Sequence, residues 1–366
     1  MVTWSSDGGP LGRLKRLVNG NAKRPWSPRS DAHRTSGPRH WGATFSLATI
    51  GLLALLLAVS ISGRGVAPAI AKQPAAAAAT RCGAHAVGGT LTATVAGYRR
   101  TVIVHLPSDY TGSTKLALVL NMHGSGSTAA QQQILTGMDA TADTDHFIVA
   151  YPQGLIPDGI GYVWNVPGEP TVGDKAVPAH AANDVEFLTK LVGLLEQRYC
   201  INPVHVYATG FSGGARIASQ LACDSSSVFA AVAVVSGLRR PTPCPTSRPV
   251  AVVAFHGTAD PVDPYDGHGQ AYWTYSVPQA AAYWAQQDSC SKTPATSKPE
   301  HGVTLTDYSD CDAHVAVELY SIAGEGHEWP GGPPLPSLLT HLLGPQTTAI
   351  NANTIMWAFF EAHPLP

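Results

Sequence analysis

The segment VHVYATGFSGGARIASQLAC, residues 204–223, constrains this chain more than any other. An apolar run ends at Gly210, and a stretch of small residues begins at Gly213. Between them Gly210, Phe211, Ser212, Gly213 and Gly214 match G-x-S-x-G. This order predicts a buried strand that reverses abruptly into a helix. Such a reversal crowds the backbone, and only residues without a Cβ fit on either side of its centre. The turn lifts the Ser212 hydroxyl clear of the sheet and sets it at a helix N-terminus. There the N–H of Gly213 is free to meet developing negative charge. The pentapeptide alone is weak in a chain with 36 glycines, and its place between strand and helix gives it weight. The competing reading is a glycine-rich turn that only packs.

Seven further strand patterns follow Cys82, making eight with residues 204–209. Residues 91–95 and 98–106 alternate in polarity and meet at Gly97, which predicts a hairpin. Residues 117–122, 147–151, 230–235, 250–255 and 317–321 are near-continuous apolar runs. Runs of that kind suit strands covered on both faces of a largely parallel sheet. Helical patterns lie between them. Asp184 reads as the N-cap of one, with Leu188, Leu191, Val192 and Leu195 on a single stripe. Residues 129–133 and 278–287 read as helices, and so do residues 350–362, whose Trp357, Phe359 and Phe360 read as core. The expected fold is α/β, with a mostly parallel central sheet of about eight strands and helices on both faces.

Counting strands places the chemistry. Ser212 follows the fifth, and His123-Gly124-Ser125-Gly126 follows the third. Asp260 follows the seventh, in HGTADPVDPY, and His327 follows the eighth, in GEGHEWPGG. In an open parallel sheet, ligands bind beyond the carboxyl ends of the strands, and all four segments fall there. The chain order Ser, Asp, His is that of the α/β-hydrolase fold. A serine hydroxyl needs a base within hydrogen-bond reach, and His327 is the candidate. Asp260 would hold its imidazole in one tautomer and stabilise the imidazolium. The N–H groups of Gly213 and Ser125 would form the oxyanion hole. Competing residues are His123 for the base and Asp263 or Asp266 for the acid. His256 lies on the same strand end as Asp260 and reads as structural. Trp164 and Asn165 could border the substrate, as could an aromatic wall of Tyr272, Trp273 and Tyr275. Trp329 follows the candidate base and could pack its loop or touch substrate.

Composition excludes several classes. At 366 residues the chain suffices for one large α/β domain or two small ones. A net charge of -2 asks for no nucleic-acid partner. The six cysteines include no CxxC pair, so neither zinc nor a redox motif is expected. In an exported protein they read as three disulfides, for which the sequence leaves about 15 pairings open. Export is itself expected. Residues 1–41 are basic and polar, and residues 42–62 carry no charge and could span a bilayer. A basic flank before an apolar run keeps the N-terminus in the cytoplasm and sends the rest out. Ala69-Ile70-Ala71 offers a cleavage site within the Ala/Pro-rich linker, residues 63–81, so a cleaved signal and an uncleaved anchor both stand. Residues 82–366 form the expected catalytic body. Membrane contact is expected only through the leader, and oligomeric state is not legible.

Taken in order, LVLNMHGSGST, YPQG, Asn183-Asp184-Val185-Glu186-Phe187, YCINPVHVYATGFSGGA, HGTADPVDPY and GEGHEWPGG resemble a family of secreted esterases. It comprises polyhydroxybutyrate depolymerases, feruloyl esterases and acetylxylan esterases. The resemblance runs from about Cys82 to the C-terminus. It implies an α/β-hydrolase with Ser212, Asp260 and His327 as its triad and no metal or organic cofactor. It implies an ester substrate: a small ester, a plant polysaccharide ester or a polyester oligomer. It also carries the pairings Cys290 with Cys311, Cys223 with Cys244, and Cys82 with Cys200. Two features depart from the family pattern: Phe211 at the elbow, where Leu or Tyr is common, and Glu325 and Glu328 beside His327. A carboxylate next to the base would raise its pKa. No appended binding domain is expected, which points toward soluble or short-chain esters. The alternatives are an acyltransferase or serine peptidase on the same fold, or an inactive surface-binding module.

Overall fold

A computed structural model describes residues 87–366; the leader, the linker and Cys82 lie outside the described residues. The chain opens with a hairpin of β1 (Gly89–Val95) and β2 (Tyr98–His105), closed at Ala96-Gly97 with Gly97 at φ 83°. Next come β3 (Leu116–Met122), α1 (Ala129–Thr136), α2 (Met138–Asp145) and β4 (Ile148–Pro152). A small separate hairpin, β5 (Ile156–Asp158) and β6 (Gly161–Val163), leads towards α3 (Asp184–Arg198). The elbow segment is β7 (Ile201–Phe211) followed by α4 (Gly213–Asp224). Then follow β8 (Ala231–Val235), β9 (Ala251–Gly257) and α5 (Val277–Gln287). The chain ends with β10 (Ala295–Ser297), β11 (Val303–Tyr308), β12 (Val317–Ile322), α6 (Ser337–Leu343) and α7 (Ala352–Ala362).

One sheet holds ten of these strands in the order β1-β2-β4-β3-β7-β8-β9-β12-β11-β10. Its centre, from β4 to β12, is parallel, and antiparallel pairs close both ends. All eight expected strands are present. The expectation of about eight missed β5, β6, β10 and β11. β10 is exposed along its length and β11 is largely polar, so neither gives a continuous apolar run. The helix after β6 also needs a correction. Asn183 is its N-cap and accepts the Glu186 N–H; Asp184 instead is buried against Arg100 at 2.7 Å.

The alternation of side chains across β8 divides the core into two layers. Val232 and Val234 join the layer containing α3, α4 and α5 residues such as Leu188, Ile217 and Trp284. Ala231, Ala233 and Val235 join the layer containing Ala129, Met138, Met356 and Phe360 from α1, α2 and α7. Tyr207 stacks on Phe360 at 4.5 Å, and Phe147 on Trp357 at 4.2 Å, so the last helix is docked by its aromatic residues as expected.

The glycines at the elbow are dictated by contact. A Cβ on Gly214 would fall on the Met122 carbonyl of β3, and one on Gly210 would fall on the Gly214 carbonyl. Gly193 in α3, by contrast, has open space where its Cβ would be. Opposite outcomes are expected in chemical denaturation. Gly214→Ala lowers the midpoint sharply or prevents folding, whereas Gly193→Ala raises stability by about 0.5–1 kcal/mol.

Candidate active site

Ser212 sits at φ 54° and ψ -117°, a conformation that non-glycine residues adopt only when held there. What holds it is β8: the Ser212 N–H donates to the Val235 carbonyl at 2.9 Å. Its side chain lines a cavity of about 510 Å³ beyond the carboxyl ends of the parallel strands. His327 lines the same cavity, and its ring lies 4.8 Å from that of Phe211. Two main-chain bonds fix the His327 loop: Gly326 N–H to the Pro345 carbonyl at 2.8 Å, and His327 N–H to the Leu343 carbonyl at 2.6 Å. A Cβ on Gly326 would strike that same Leu343 carbonyl, so a side chain there is excluded.

Asp260 completes the cluster. His327 donates from Nδ1 to Asp260 Oδ2 at 2.7 Å, which leaves Nε2 as the nitrogen with a lone pair in the neutral ring. The other carboxylate oxygen, Oδ1, accepts the N–H groups of Val262 and Asp263 at 2.8 and 2.9 Å. His256 donates Nε2 to the Asp263 carbonyl at 2.8 Å and lies 3.3 Å from Asp260 Oδ2, with its ring stacked on Trp273. Of the competing acids, Asp263 is buried and hydrogen-bonds here through its backbone, and Asp266 is exposed.

Charge has shifted these groups. Burial alone would raise Asp260, but the His327 charge and the bonds from His256 and His327 hold it well below the usual carboxylate range. Burial alone would lower His327, yet the charge and hydrogen bond of Asp260, then Asp263 and Glu328, carry it above 6.5. Burial pushes Glu328 up to about 7 against the pull of His327. Burial also pushes Glu325 up to about 8, although it accepts the Thr347 N–H at 3.1 Å.

The loop after β3 packs directly on the elbow. A Cβ on Gly124 would come within 3.0 Å of the Phe211 ring. The Ser125 N lies 3.3 Å from where a Gly213 Cβ would be, so these two backbone amides are neighbours beside Ser212. His123 braces the loop. Its Nδ1 donates to the Gly124 carbonyl at 2.8 Å, and its Nε2 accepts from Gly154 N–H and Gln153 Nε2, each at 2.9 Å. Burial pulls this imidazole down to about 4, so it is neutral near pH 7 and offers no free lone pair to Ser212.

The four side chains expected against substrate lie elsewhere. Trp164 is buried behind His123, donating to its carbonyl at 2.7 Å and packing on its ring. Asn165 donates to the Ala182 carbonyl at 2.9 Å. Trp273 is buried and donates to the Pro264 carbonyl, and Trp329 is buried and donates to Asn353. Buried indole N–H groups need such partners, and satisfying them fixed these rings inside the fold. The cavity is lined instead by Ile134, Leu135, Ile160, Leu335 and Leu339, with Tyr272. A sequence signal for Leu335 and Leu339 existed in PLPSLLTHLL, an apolar run shortly after the His327 loop. Among the described residues no group of three or more His, Cys, Asp or Glu is arranged to hold a metal ion. Disulfides join Cys223 to Cys244 and Cys290 to Cys311, and Cys200 is also disulfide-bonded.

The esterase family model matches residues 93–311. Feruloyl esterase B of Piromyces equi is 28% identical over 243 residues, covering 62% of this chain and 42% of that protein. Poly(3-hydroxyalkanoate) depolymerase C of Paucimonas lemoignei is 25% identical over 254 residues, covering 63% and 58%. The chain thus spans about half the length of these two relatives. An acetyl xylan esterase from Aspergillus awamori superposes with a TM-score of 0.50 at 15% identity, covering 75% of this chain and all of that one, a likeness of fold.

The charge arrangement is open to NMR titration of the histidine rings. His327 is expected to titrate above 6.5, and Glu328→Gln to lower it, because a negative charge that favours the imidazolium is gone. An unmoved His327 in that variant would mean that the glutamate does not act on the ring.

Proposed function

This chain belongs to the esterase family, and on that footing we propose that it is a carboxylic ester hydrolase acting through Ser212, His327 and Asp260. The observation that supports this most is the strained Ser212 in the wall of a cavity it shares with His327, whose Nδ1 is bonded to a buried carboxylate.

The steps follow from that arrangement. Ser212 Oγ attacks the ester carbonyl carbon while His327 Nε2 takes the hydroxyl proton. The carbonyl oxygen becomes an oxyanion and is met by the N–H groups of Gly213, in the first turn of α4, and Ser125. Asp260 stabilises the imidazolium and stays ionised throughout. The tetrahedral intermediate expels the alcohol, which takes its proton from His327. Water, deprotonated by the same nitrogen, then attacks the acyl-enzyme. Collapse of the second intermediate releases the carboxylic acid and returns the proton to Ser212.

Residues 82–366 make up the catalytic unit in this reading, behind a basic segment (1–41), a signal or anchor (42–62) and a linker (63–81). The disulfides support a location outside the cytosol.

Two measurements with full-length protein test the assignment. Ser212→Ala should lower kcat for short p-nitrophenyl esters by a factor on the order of 10⁶, and a variant that keeps most of its activity rules out Ser212 as nucleophile. The base works only when neutral, so kcat/KM should fall as pH drops through the raised His327 pKa, with that limb above pH 6.5.

A further inference from the structure

The wall of the Ser212 cavity is mostly apolar beyond its reacting groups. Ile134 and Leu135 of α1 stand on one side, and Leu335 and Leu339 on another, with Ile160 of the β5–β6 turn among them. Two of the polar side chains along the wall are partly engaged. Ser127 donates to Gln131 Oε1 at 3.1 Å, and the Tyr272 ring is covered by the Arg216 guanidinium at 3.7 Å.

Helix α6 has no structural reason for its composition. None of the residues of SLLTHLL is buried, and a helix so rich in leucine ordinarily lays an apolar stripe on protein. Leu339 and Leu343 line the cavity, while Leu338 is 70% exposed and Leu342 60%. Single exposed aliphatics are ordinary, but these are concentrated. Of the nine large hydrophobic residues exposed among the described residues, five lie in α6 or line this cavity: Ile134, Ile160, Leu338, Leu339 and Leu342. The helix is also tied to the chemistry, because the Leu343 carbonyl accepts the His327 N–H.

We propose, resting on the esterase reading above, that this cavity selects esters carrying a long aliphatic chain, with Leu335 and Leu339 as specificity-determining residues. A sugar ring enclosed by such walls would leave hydroxyls without partners, and each unmet hydroxyl is penalised. An acetyl group would leave most of about 510 Å³ unfilled. A flexible alkyl chain meets both conditions, because it needs only apolar area.

The test uses full-length protein and two substrate series, kept below their micelle concentrations. One lengthens the acyl group of p-nitrophenyl esters from acetate to octanoate, and the other lengthens the alcohol of acetate esters from methyl to octyl. Each buried methylene favours binding by about fourfold, so kcat/KM should rise by about tenfold or more in one series, and that series identifies the arm the cavity holds. A flat or falling profile in both overturns the proposal. Leu339→Gln should cut the long-to-short ratio in that series by about fivefold or more, whereas Leu194→Gln, on the exposed face of α3, leaves the ratio unchanged. Equal ratios in the two variants would also overturn it. Calorimetric binding of the long and short esters to Ser212→Ala separates this inference from the catalytic one. Tighter binding of the long ester sustains the cavity assignment even if the wild type cleaves nothing, and equal binding defeats it even if the wild type is an active esterase.

Discussion

A carboxylate removed from water must find its partners within the protein, or it does not stay charged. Asp260 finds them in two backbone N–H groups and in His327, with His256 close by. That requirement fixes the site. The two amides shape the loop after β9 into a tight turn around Oδ1. The histidine bond draws the loop after β12 across to meet it, and glycine at 326 makes the approach possible. Ser212 needs no bond to either residue to be placed, because β8 and the crowded elbow set its position from the other side.

Around this pair the fold gathers several carboxyl groups. Asp263, Glu325 and Glu328 are all buried near His327, and burial pushes each carboxyl up rather than down. Only Asp260, with the strongest set of donors, is held low. The result is graded. One acid is firmly ionised and is the main support of the imidazolium, while its neighbours hold their protons more tightly, so several full charges need not lie side by side.

How much of this was legible depended on what each residue was doing. The parallel strands and the elbow could be read because burial on both faces and steric crowding leave direct marks: unbroken apolar runs and paired glycines. The order of Ser212, Asp260 and His327 located their loops at one edge of the sheet. The edge strands β10 and β11 left no such mark, since residues with one side in water are free to be polar. Asp184 misled because an aspartate at a helix start serves equally as a cap or as a buried partner, and Arg100, distant in sequence, decided between them. The tryptophans were ambiguous for a related reason. A large aromatic ring near a reacting loop suits a binding wall or the scaffold behind it, and only the partner of its N–H tells which.

The two histidines nearest the serine divide their duties by wiring. His327 keeps one nitrogen uncommitted and can gain or lose a proton. His123 has a carbonyl on one nitrogen and two donors on the other, so its ring behaves like a fixed amide crosslink between β3, β4 and the loop. Moderate acidification therefore reaches the reaction through His327 and the two glutamates beside it, Glu325 and Glu328, while His123, pulled down to about 4, holds the oxyanion loop unchanged.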